Sequence, residues 1–260
     1  MNALDAAFAR LREQKTRAFI PFLTVGDPSL AATLQRADAL IAAGADLLEL
    51  GFPYSDPIAD GPVIQSSYTR ALTQRLTLDD IFRTAATIHM THPTTPLVAM
   101  TSFSLVWRRG VDWFLRRAQE AGFDGLIVPD LPLEESAPLR KPAQAHGLHL
   151  IQLVTPTTPA ERAEQIVAAS GGFVYCVSVT GITGARAEIP AALAERLAWL
   201  RSRTKLPLCV GFGVSTPEQV RQLREHADGI IVGSALVQLL DNPAAFANLA
   251  KRLASATHDE

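Results

Sequence analysis

Short hydrophobic runs alternate with helix-like patterns from one end of the chain to the other. The runs are too short for helices and are mostly bounded by Gly, Pro or Asp, which is typical of strands buried on both faces. Between them, apolar residues recur at the three- and four-residue spacing of a helix. The pattern predicts eight strands, at residues 18–24, 46–51, 97–102, 125–129, 148–154, 173–178, 206–211 and 229–233.

Capping residues mark the helices between these strands. Ser29 is placed to cap a helix that runs to about Ala43, and Pro159 and Pro217 stand where the helices after the fifth and seventh strands begin. A further helix opens at Asp112 and ends near Gly122. The remaining helices are predicted at residues 79–90, 133–146, 190–203 and 235–253.

The segment before the first strand predicts an additional helix. Leu4, Ala7, Phe8 and Leu11 share one helical face, and charged residues interrupt the segment. An export signal would need a continuous apolar stretch here. The longest uncharged stretches elsewhere are broken by Pro or Gly, so the sequence predicts no membrane span and a cytoplasmic location.

Eight strand-then-helix units without a linker predict an α/β fold with a single (β/α)8 TIM barrel over residues 1–260 and an extra N-terminal helix. The alternative, an open doubly wound sheet, would favour a glycine-rich turn after the first strand. The turn here is Val25-Gly26-Asp27-Pro28, which does not match that pattern. Chemistry in a barrel of this kind takes place at the C-terminal ends of the strands.

Composition and charge exclude several classes of protein. The 260 residues carry 24 basic and 26 acidic side chains, a formal charge of −2. A nucleic-acid binder would normally have a basic excess, so no nucleic-acid partner is expected. The two cysteines, Cys176 and Cys209, lie in apolar runs, which favours a reducing compartment over a disulfide framework.

One acidic residue lies inside a predicted strand. Glu49 stands among leucines, where an ionised carboxylate without a partner is costly. Its pKa should therefore be raised, or the side chain must be paired. A carboxyl group of that kind is a candidate general acid–base. A structural carboxylate that binds backbone amides would give the same pattern.

The loop after this strand carries two further acids. Asp56 and Asp60 stand four positions apart in a segment that prolines restrict. One of them could face Glu49 across the barrel mouth, and the pattern does not distinguish them. Both could instead form turns and cap the next helix.

Glycines at the ends of the last two strands predict a phosphate site. Gly211 and Gly213 follow strand seven, and Gly233 and Ser234 follow strand eight. Barrels often bind phosphate at these two loops, where glycine lets backbone amides approach the oxygens. The loop after strand six adds small residues and hydroxyls, including Thr183.

Other residue types are missing from the strand ends. No lysine stands there, which argues against a Schiff-base aldolase. The histidines lie on predicted helices, turns or the tail, and His89 and His92 are read as a surface pair. No metal ligand set is visible. The residue pattern therefore predicts acid–base chemistry by carboxylates, without a cofactor, on a phosphorylated substrate.

The residues also match a known family. The run LELGFPYSDPIADG at 48–61 resembles the signature of the tryptophan synthase alpha subunit family. Similarity extends to FIPFLTVGDP at 19–28, PDLP at 129–132, TPTTP at 155–159 and YCVSVTGITGA at 175–185.

The resemblance implies a barrel that cleaves indole-3-glycerol phosphate to indole and glyceraldehyde 3-phosphate. In that reading Glu49 transfers protons and Asp60 binds the indole N–H. It also implies an αββα complex with a beta subunit that carries pyridoxal phosphate, while this chain needs no cofactor. The implied substrate contacts are Phe22, Ile64, Met100, Ile127, Leu153, Tyr175 and Phe212 around the indole, and Gly184, Gly213, Gly233 and Ser234 at the phosphate.

One stretch departs from the family pattern. Many relatives carry an aromatic residue and an asparagine after the third strand, where this chain has Thr101, Ser102 and Ser104. The smaller hydroxyls could change the surface offered to a partner or the edge of the pocket, and the larger effect is expected on partner contacts. Three other functions remain open: a stand-alone lyase of the same family, a phosphosugar isomerase or epimerase, and a non-catalytic phosphate-binding scaffold.

Overall fold

Eight parallel strands close into a barrel in the order in which they occur along the chain. The fold is taken from a computed structural model that describes residues 2–58, 60–178, 190–211 and 213–259. Residues Phe19 and Ile230 are partners across the pair that closes the ring. The strands are β1 (Ala18–Thr24), β2 (Leu48–Gly51), β3 (Leu97–Met100), β4 (Phe123–Ile127), β5 (His149–Val154), β6 (Val174–Val177), β7 (Leu208–Gly211) and β8 (Gly229–Val232).

Helices follow the strands and cover the outside of the barrel. Each predicted strand agrees with an observed one to within two residues at either end, and the (β/α)8 barrel is confirmed. The helices of the described residues are α1 (Ala3–Glu13), α2 (Leu30–Ala42), α3 (Pro62–Thr73), α4 (Leu78–Thr91), α5 (Phe103–Arg109), α6 (Val111–Glu120), α7 (Ala137–Ala145), α8 (Ala160–Ala169), α9 (Ala191–Arg201), α10 (Pro217–Leu223), α11 (Ser234–Val237) and α12 (Pro243–His258).

The extra N-terminal helix α1 packs against the N-terminal ends of the strands. Asn2 caps it by accepting a hydrogen bond from the amide of Leu4. Its apolar face is buried as the spacing predicts, and the Phe8 ring lies 5.9 Å from that of Phe173 at the start of β6. The side-chain Nδ2 of Asn2 also donates a hydrogen bond to the backbone carbonyl of Asp124 on β4. These contacts hold α1 on the end of the barrel opposite the predicted site.

One predicted helix needs correction, and two observed helices had no prediction. The helix predicted at 235–253 is two helices, α11 and α12, because Pro243 has no backbone N–H to donate and is favoured at the first position of a helix, where it begins α12. The side chain of Asn242 caps that second helix. The helices α3 and α5 were not predicted.

The described residues contain no helix long and apolar enough to cross a membrane. Cys176 and Cys209 are both buried and unpaired, as their apolar surroundings predict. Burial raises the pKa of the Cys176 thiol to about 12. The assignment of residues 1–260 to one domain stays a prediction.

Candidate active site

Glu49 lies in the middle of β2 and is almost completely buried, with 1% of its surface exposed. Its strand partners are Phe22 on β1 and Val98 on β3. Within the described residues, its Oε2 atom has no hydrogen-bond partner. Burial, and secondarily the charge of Asp60, raise the pKa of Glu49 to about 8. The carboxyl group is therefore mainly protonated at neutral pH.

Asp60 is the acid that the structure brings to Glu49. Burial raises the pKa of Asp60 to about 6, and a hydrogen bond from Tyr54 lowers it in part. Its carbonyl accepts a hydrogen bond of 2.7 Å from Gln65 in α3, which fixes the end of the loop. Asp56 is exposed instead. The geometry thus separates two acids that the sequence left equivalent.

The Phe22 ring connects the two halves of the mouth. A Cβ atom at Gly51, which ends β2, would overlap Cζ of Phe22. A Cβ atom at Gly233, which follows β8, would lie 3.5 Å from Cβ of the same phenylalanine. The side chain of Phe22 therefore lies between the end of β2, the strand that carries Glu49, and the loop after β8 where phosphate binding is predicted.

The other predicted lining residues lie at strand ends or on α3. Tyr175 is buried on β6. Burial, and secondarily the charge of Glu49, keep the pKa of the Tyr175 hydroxyl well above its usual value. A Cβ atom at Gly211 would overlap the hydroxyl of Tyr175, so the close packing requires glycine. The remaining members are Ile64, Met100, Ile127 and Leu153, of which the first three are buried and the last is half-buried.

Three residues of the predicted phosphate site, Gly213, Gly233 and Ser234, lie in the described part of the chain. Gly213 has a φ of +79°, a value that favours glycine, and Gly233 is the N-cap of α11. Ser234 is exposed as the first residue of that helix. The predictions for Thr183, Gly184 and Phe212 fall outside the described residues.

Sequence reasoning missed an aromatic pair over the mouth. Tyr68 on α3 is buried, and its ring lies 5.5 Å from that of Tyr54 in the loop after β2. A Cβ atom at Gly51 would lie 2.9 Å from the Tyr68 hydroxyl, so this hydroxyl belongs to the site. Pro62 at the first position of α3 was the available signal, because proline is favoured there.

The loops after β2, β3 and β4 enclose an open groove of about 930 Å³ beside the mouth. Ser102 at the start of α5 donates a hydrogen bond of 2.7 Å to Asp130, and the side chains of Ser102 and Ser104 lie 2.8 Å apart. The stretch that departs from the family pattern therefore forms part of this groove. Ile58 in the loop after β2 is 81% exposed, and Trp107 on α5 is 67% exposed.

The described residues contain no group of three or more His, Cys, Asp or Glu side chains that could hold a metal ion. His92 pairs with Asp38 at 2.7 Å, and both His89 and His92 are half-buried rather than fully on the surface.

These features define a (β/α)8 barrel whose mouth holds two coupled carboxyl groups and a partly glycine-built rim. The family model for the tryptophan synthase alpha chain matches residues 8–259. The chain belongs to the tryptophan synthase alpha chain family, and so to the lyase system of tryptophan biosynthesis.

Relatives and solved structures agree with this assignment. The tryptophan synthase alpha chain of Picosynechococcus sp. is 48% identical over 92% of this chain and 91% of its own length. That of Carboxydothermus hydrogenoformans is 46% identical over 93% and 90%. The alpha subunit structure from Legionella pneumophila is 35% identical, with a TM-score of 0.90 over 99% of this chain and 98% of its own. A tryptophan synthase structure from Mycobacterium tuberculosis has a TM-score of 0.92 at 35% identity, over 99% and 98%.

Proposed function

We propose that this chain cleaves indole-3-glycerol phosphate by a retro-aldol reaction to give indole and glyceraldehyde 3-phosphate. One observation carries the proposal. Two carboxyl groups at one barrel mouth have pKa values of about 8 and about 6, so at neutral pH one is mainly protonated and the other mainly ionised. Because their environments separate the two pKa values, Glu49 is assigned as the proton donor and Asp60 as the anion.

Glu49 is the proton carrier in this mechanism. Its protonated carboxyl group gives a proton to C3 of the indole ring, and the resulting carboxylate takes the proton of the glycerol hydroxyl next to the bond that breaks. That hydroxyl carbon becomes the aldehyde, and the electrons of the broken bond return to the ring. Glu49 ends the cycle protonated again. A group with a pKa near the working pH is suited to both transfers.

Asp60 provides the negative charge in the same mechanism. Protonation of C3 puts positive charge on the ring nitrogen, and an ionised Asp60 beside that N–H stabilises the charge. The hydrogen bond from Tyr54 keeps Asp60 more acidic than burial alone would. The half-buried position of Asp60 lets it stay charged while Glu49, deeper in the barrel, is neutral.

The substrate is proposed to lie across the mouth. The indole ring would occupy the space around Phe22, Ile64, Met100 and Tyr175. The phosphate would bind at Gly213, Gly233 and Ser234, together with the predicted contacts Thr183 and Gly184. The position of Phe22 between Gly51 and Gly233 supports this orientation, because it borders both ends of the proposed site.

We further propose that a beta subunit binds over the open groove and receives the indole. The groove is lined by the exposed Ile58 and by charged neighbours, Asp56 and Arg108 among them. The exposed Trp107 lies on α5, the helix that forms one wall of the groove. An apolar centre with a polar rim is typical of protein interfaces. Pyridoxal phosphate is expected in that partner and not in this chain, and the αββα stoichiometry and the cytoplasmic location stay predictions.

The test is to incubate the purified chain with indole-3-glycerol phosphate and to measure indole and glyceraldehyde 3-phosphate, with and without the cognate beta subunit. We expect equal amounts of both products and a faster rate with the partner. Full turnover without a partner would identify a stand-alone lyase. Conversion of phosphosugars without indole release would contradict the proposal.

The groove also predicts partner specificity. Because Ser102 and Ser104 replace larger residues there, a beta subunit from a distant source should accelerate cleavage less than the cognate one. Equal acceleration by both would contradict this prediction. A chain in which Trp107 is changed to Ala should lose acceleration by the partner and keep the rate of the isolated chain.

A further inference from the structure

Three buried polar atoms at the barrel mouth have no hydrogen-bond partner among the described residues. They are Oγ1 of Thr24, Oε2 of Glu49 and Oη of Tyr68. Each belongs to a residue that is at most 1% exposed. An unpartnered buried polar group is unfavourable, so buried groups are normally paired with protein or with ordered water.

These three atoms belong to one neighbourhood. Thr24 ends β1 and is the strand partner of Gly51, and Glu49 lies two residues before Gly51 on β2. Residues two apart on a strand point to the same face, roughly 7 Å from each other, and partners on adjacent strands are about 5 Å apart. The Tyr68 hydroxyl would lie 2.9 Å from a Cβ atom at Gly51. Gly51 is therefore the common neighbour of all three groups.

Tyr68 is held in this position by contacts below its helix. Ser67 and Arg70 of α3 both donate hydrogen bonds to the buried Asp27 in the loop after β1, and the Nε atom of Arg70 does so at 3.0 Å. The ring of Tyr54 packs against that of Tyr68 from the other side. The hydroxyl of Tyr68 thus points into the site from a fixed helix.

We propose that Tyr68 and Thr24 are positioning residues that bind one shared water molecule against Oε2 of Glu49. None of the three atoms has a hydrogen-bond partner among the described residues, and the three residues all adjoin Gly51. A polar separation too long for a direct bond is where a bridging water belongs. A buried water typically makes about three hydrogen bonds, which equals the number of unpartnered groups here.

The water would orient the carboxyl group and stabilise its ionised form. When Glu49 is ionised, the water donates to Oε2, while the two hydroxyls bond to the water and polarise it. When Glu49 is protonated, the water can accept its proton in a hydrogen bond. Hydrogen bonds to the ionised form lower a carboxyl pKa, so the water opposes the effect of burial. The charged or titratable groups that interact with Glu49 from the surrounding elements are Asp60, Tyr68, Tyr175 and Cys209.

The experiment titrates Glu49 directly in the complete, ligand-free chain. The infrared carboxyl band of Glu49 is isolated by subtracting the spectrum of Glu49→Gln, and its intensity is followed with pH. Tyr68→Phe and Thr24→Val each remove one hydroxyl with little change of shape. We expect each to raise the pKa of Glu49 by roughly half to one unit. The matched control is Thr257→Val, since Thr257 is also fully buried and lies on α12.

The double variant tests whether the two hydroxyls share one water. If they do, Tyr68→Phe with Thr24→Val should shift the pKa by about as much as the larger single change, because removing either partner already frees the water. Additive shifts would mean two independent contacts and would overturn the shared water. A crystal structure should contain a water peak within hydrogen-bond distance of all three atoms. An empty position there would also overturn it.

The role in catalysis rests on the proposed function, and the titration does not. If Glu49 carries the protons, Tyr68→Phe should lower kcat about tenfold with KM nearly unchanged, and the pH–rate limb of Glu49 should shift with its infrared titration. A shifted titration in a chain that never releases indole would leave the water site intact and refute the proposed function. An unshifted titration in a folded Tyr68→Phe or Thr24→Val chain would refute the positioning role. Should Tyr68→Phe fail to fold, Thr24→Val and the crystallographic water peak decide the matter.

Discussion

The acidic side chains at the two ends of the barrel differ in their hydrogen bonding to the backbone. At the N-terminal end, Asp46 accepts a hydrogen bond of 2.9 Å from the amide of Phe19, and Asp228 accepts one of 2.7 Å from that of Leu208. Asp124 does the same for Leu97. At the C-terminal end, one oxygen of Glu49 has no partner among the described residues.

The difference follows from which backbone groups reach each end. The N-terminal ends of parallel strands leave amide N–H groups that need acceptors, and a carboxylate just before or at the start of the neighbouring strand supplies one. A carboxylate among apolar side chains near the C-terminal ends lacks that stabilisation and is pushed toward its protonated form. One end therefore stabilises the fold, and the other holds a carboxyl group that burial keeps mainly protonated at neutral pH, at some cost in stability.

The largest effect on activity is expected from a change at Glu49. Glu49→Gln keeps the shape of the side chain and removes the transferable proton, so indole release should fall by about 10²–10⁴-fold. Indole formed from indole-3-glycerol phosphate is the measurement, and far-ultraviolet circular dichroism checks the fold. The control is Asp56→Asn, which changes an exposed acid of the same loop and should leave the rate of the isolated chain almost unchanged. Near-normal turnover by Glu49→Gln would refute the assignment.

The same residue should make the stability of the wild-type chain depend on pH. Between pH 4.5 and about 8 the folded chain keeps a proton on Glu49 that the unfolded chain loses, so the free energy of unfolding falls as pH rises through this window. The cost is about 3 kcal/mol at pH 7. Urea unfolding should show Glu49→Gln to be the more stable chain at pH 8, with the difference vanishing near pH 4. Parallel curves at all pH values would mean that Glu49 is not buried as a protonated acid.

The two ends also differ in how well the sequence predicts them. The strands were predictable because a continuous apolar run bounded by Gly, Pro or Asp leaves few alternatives. Glu49 was predictable as well, because one acid among leucines is conspicuous. The choice between Asp56 and Asp60 was not predictable from residue pattern, since it depends on how a loop with several prolines turns. Tyr68 was missed because it lies on a helix that the pattern did not reveal, and its neighbours at the mouth are distant along the chain.

At the N-terminal end the largest effect should be on stability. Asp46→Ala removes the acceptor of the Phe19 amide, which is buried, and the partner of His258 at 2.8 Å. We expect the free energy of unfolding to fall by about 2 kcal/mol. The rate of indole release at 25 °C should be unchanged, because the mutation lies at the opposite end from the site. The matched variant Asp46→Asn keeps an oxygen acceptor and should lose less. A loss of activity without a loss of stability would break the division between the two ends.

The smallest effect should come from a histidine–aspartate pair that involves no backbone amide. His92 and Asp38 are 2.7 Å apart, but their side chains are 24% and 60% exposed. Exposed pairs of this kind contribute roughly 0–1 kcal/mol, so His92→Gln should lower the free energy of unfolding by no more than about 0.5 kcal/mol, and added salt should reduce the difference. Urea unfolding of His92→Gln and of Asp46→Ala is measured side by side. The comparison separates the contribution of a histidine contact from that of a hydrogen bond to a backbone amide. If both variants lost the same free energy of unfolding, the contribution of Asp46 would come from its contact with the imidazole of His258. Its hydrogen bond with the buried amide of Phe19 would then contribute little.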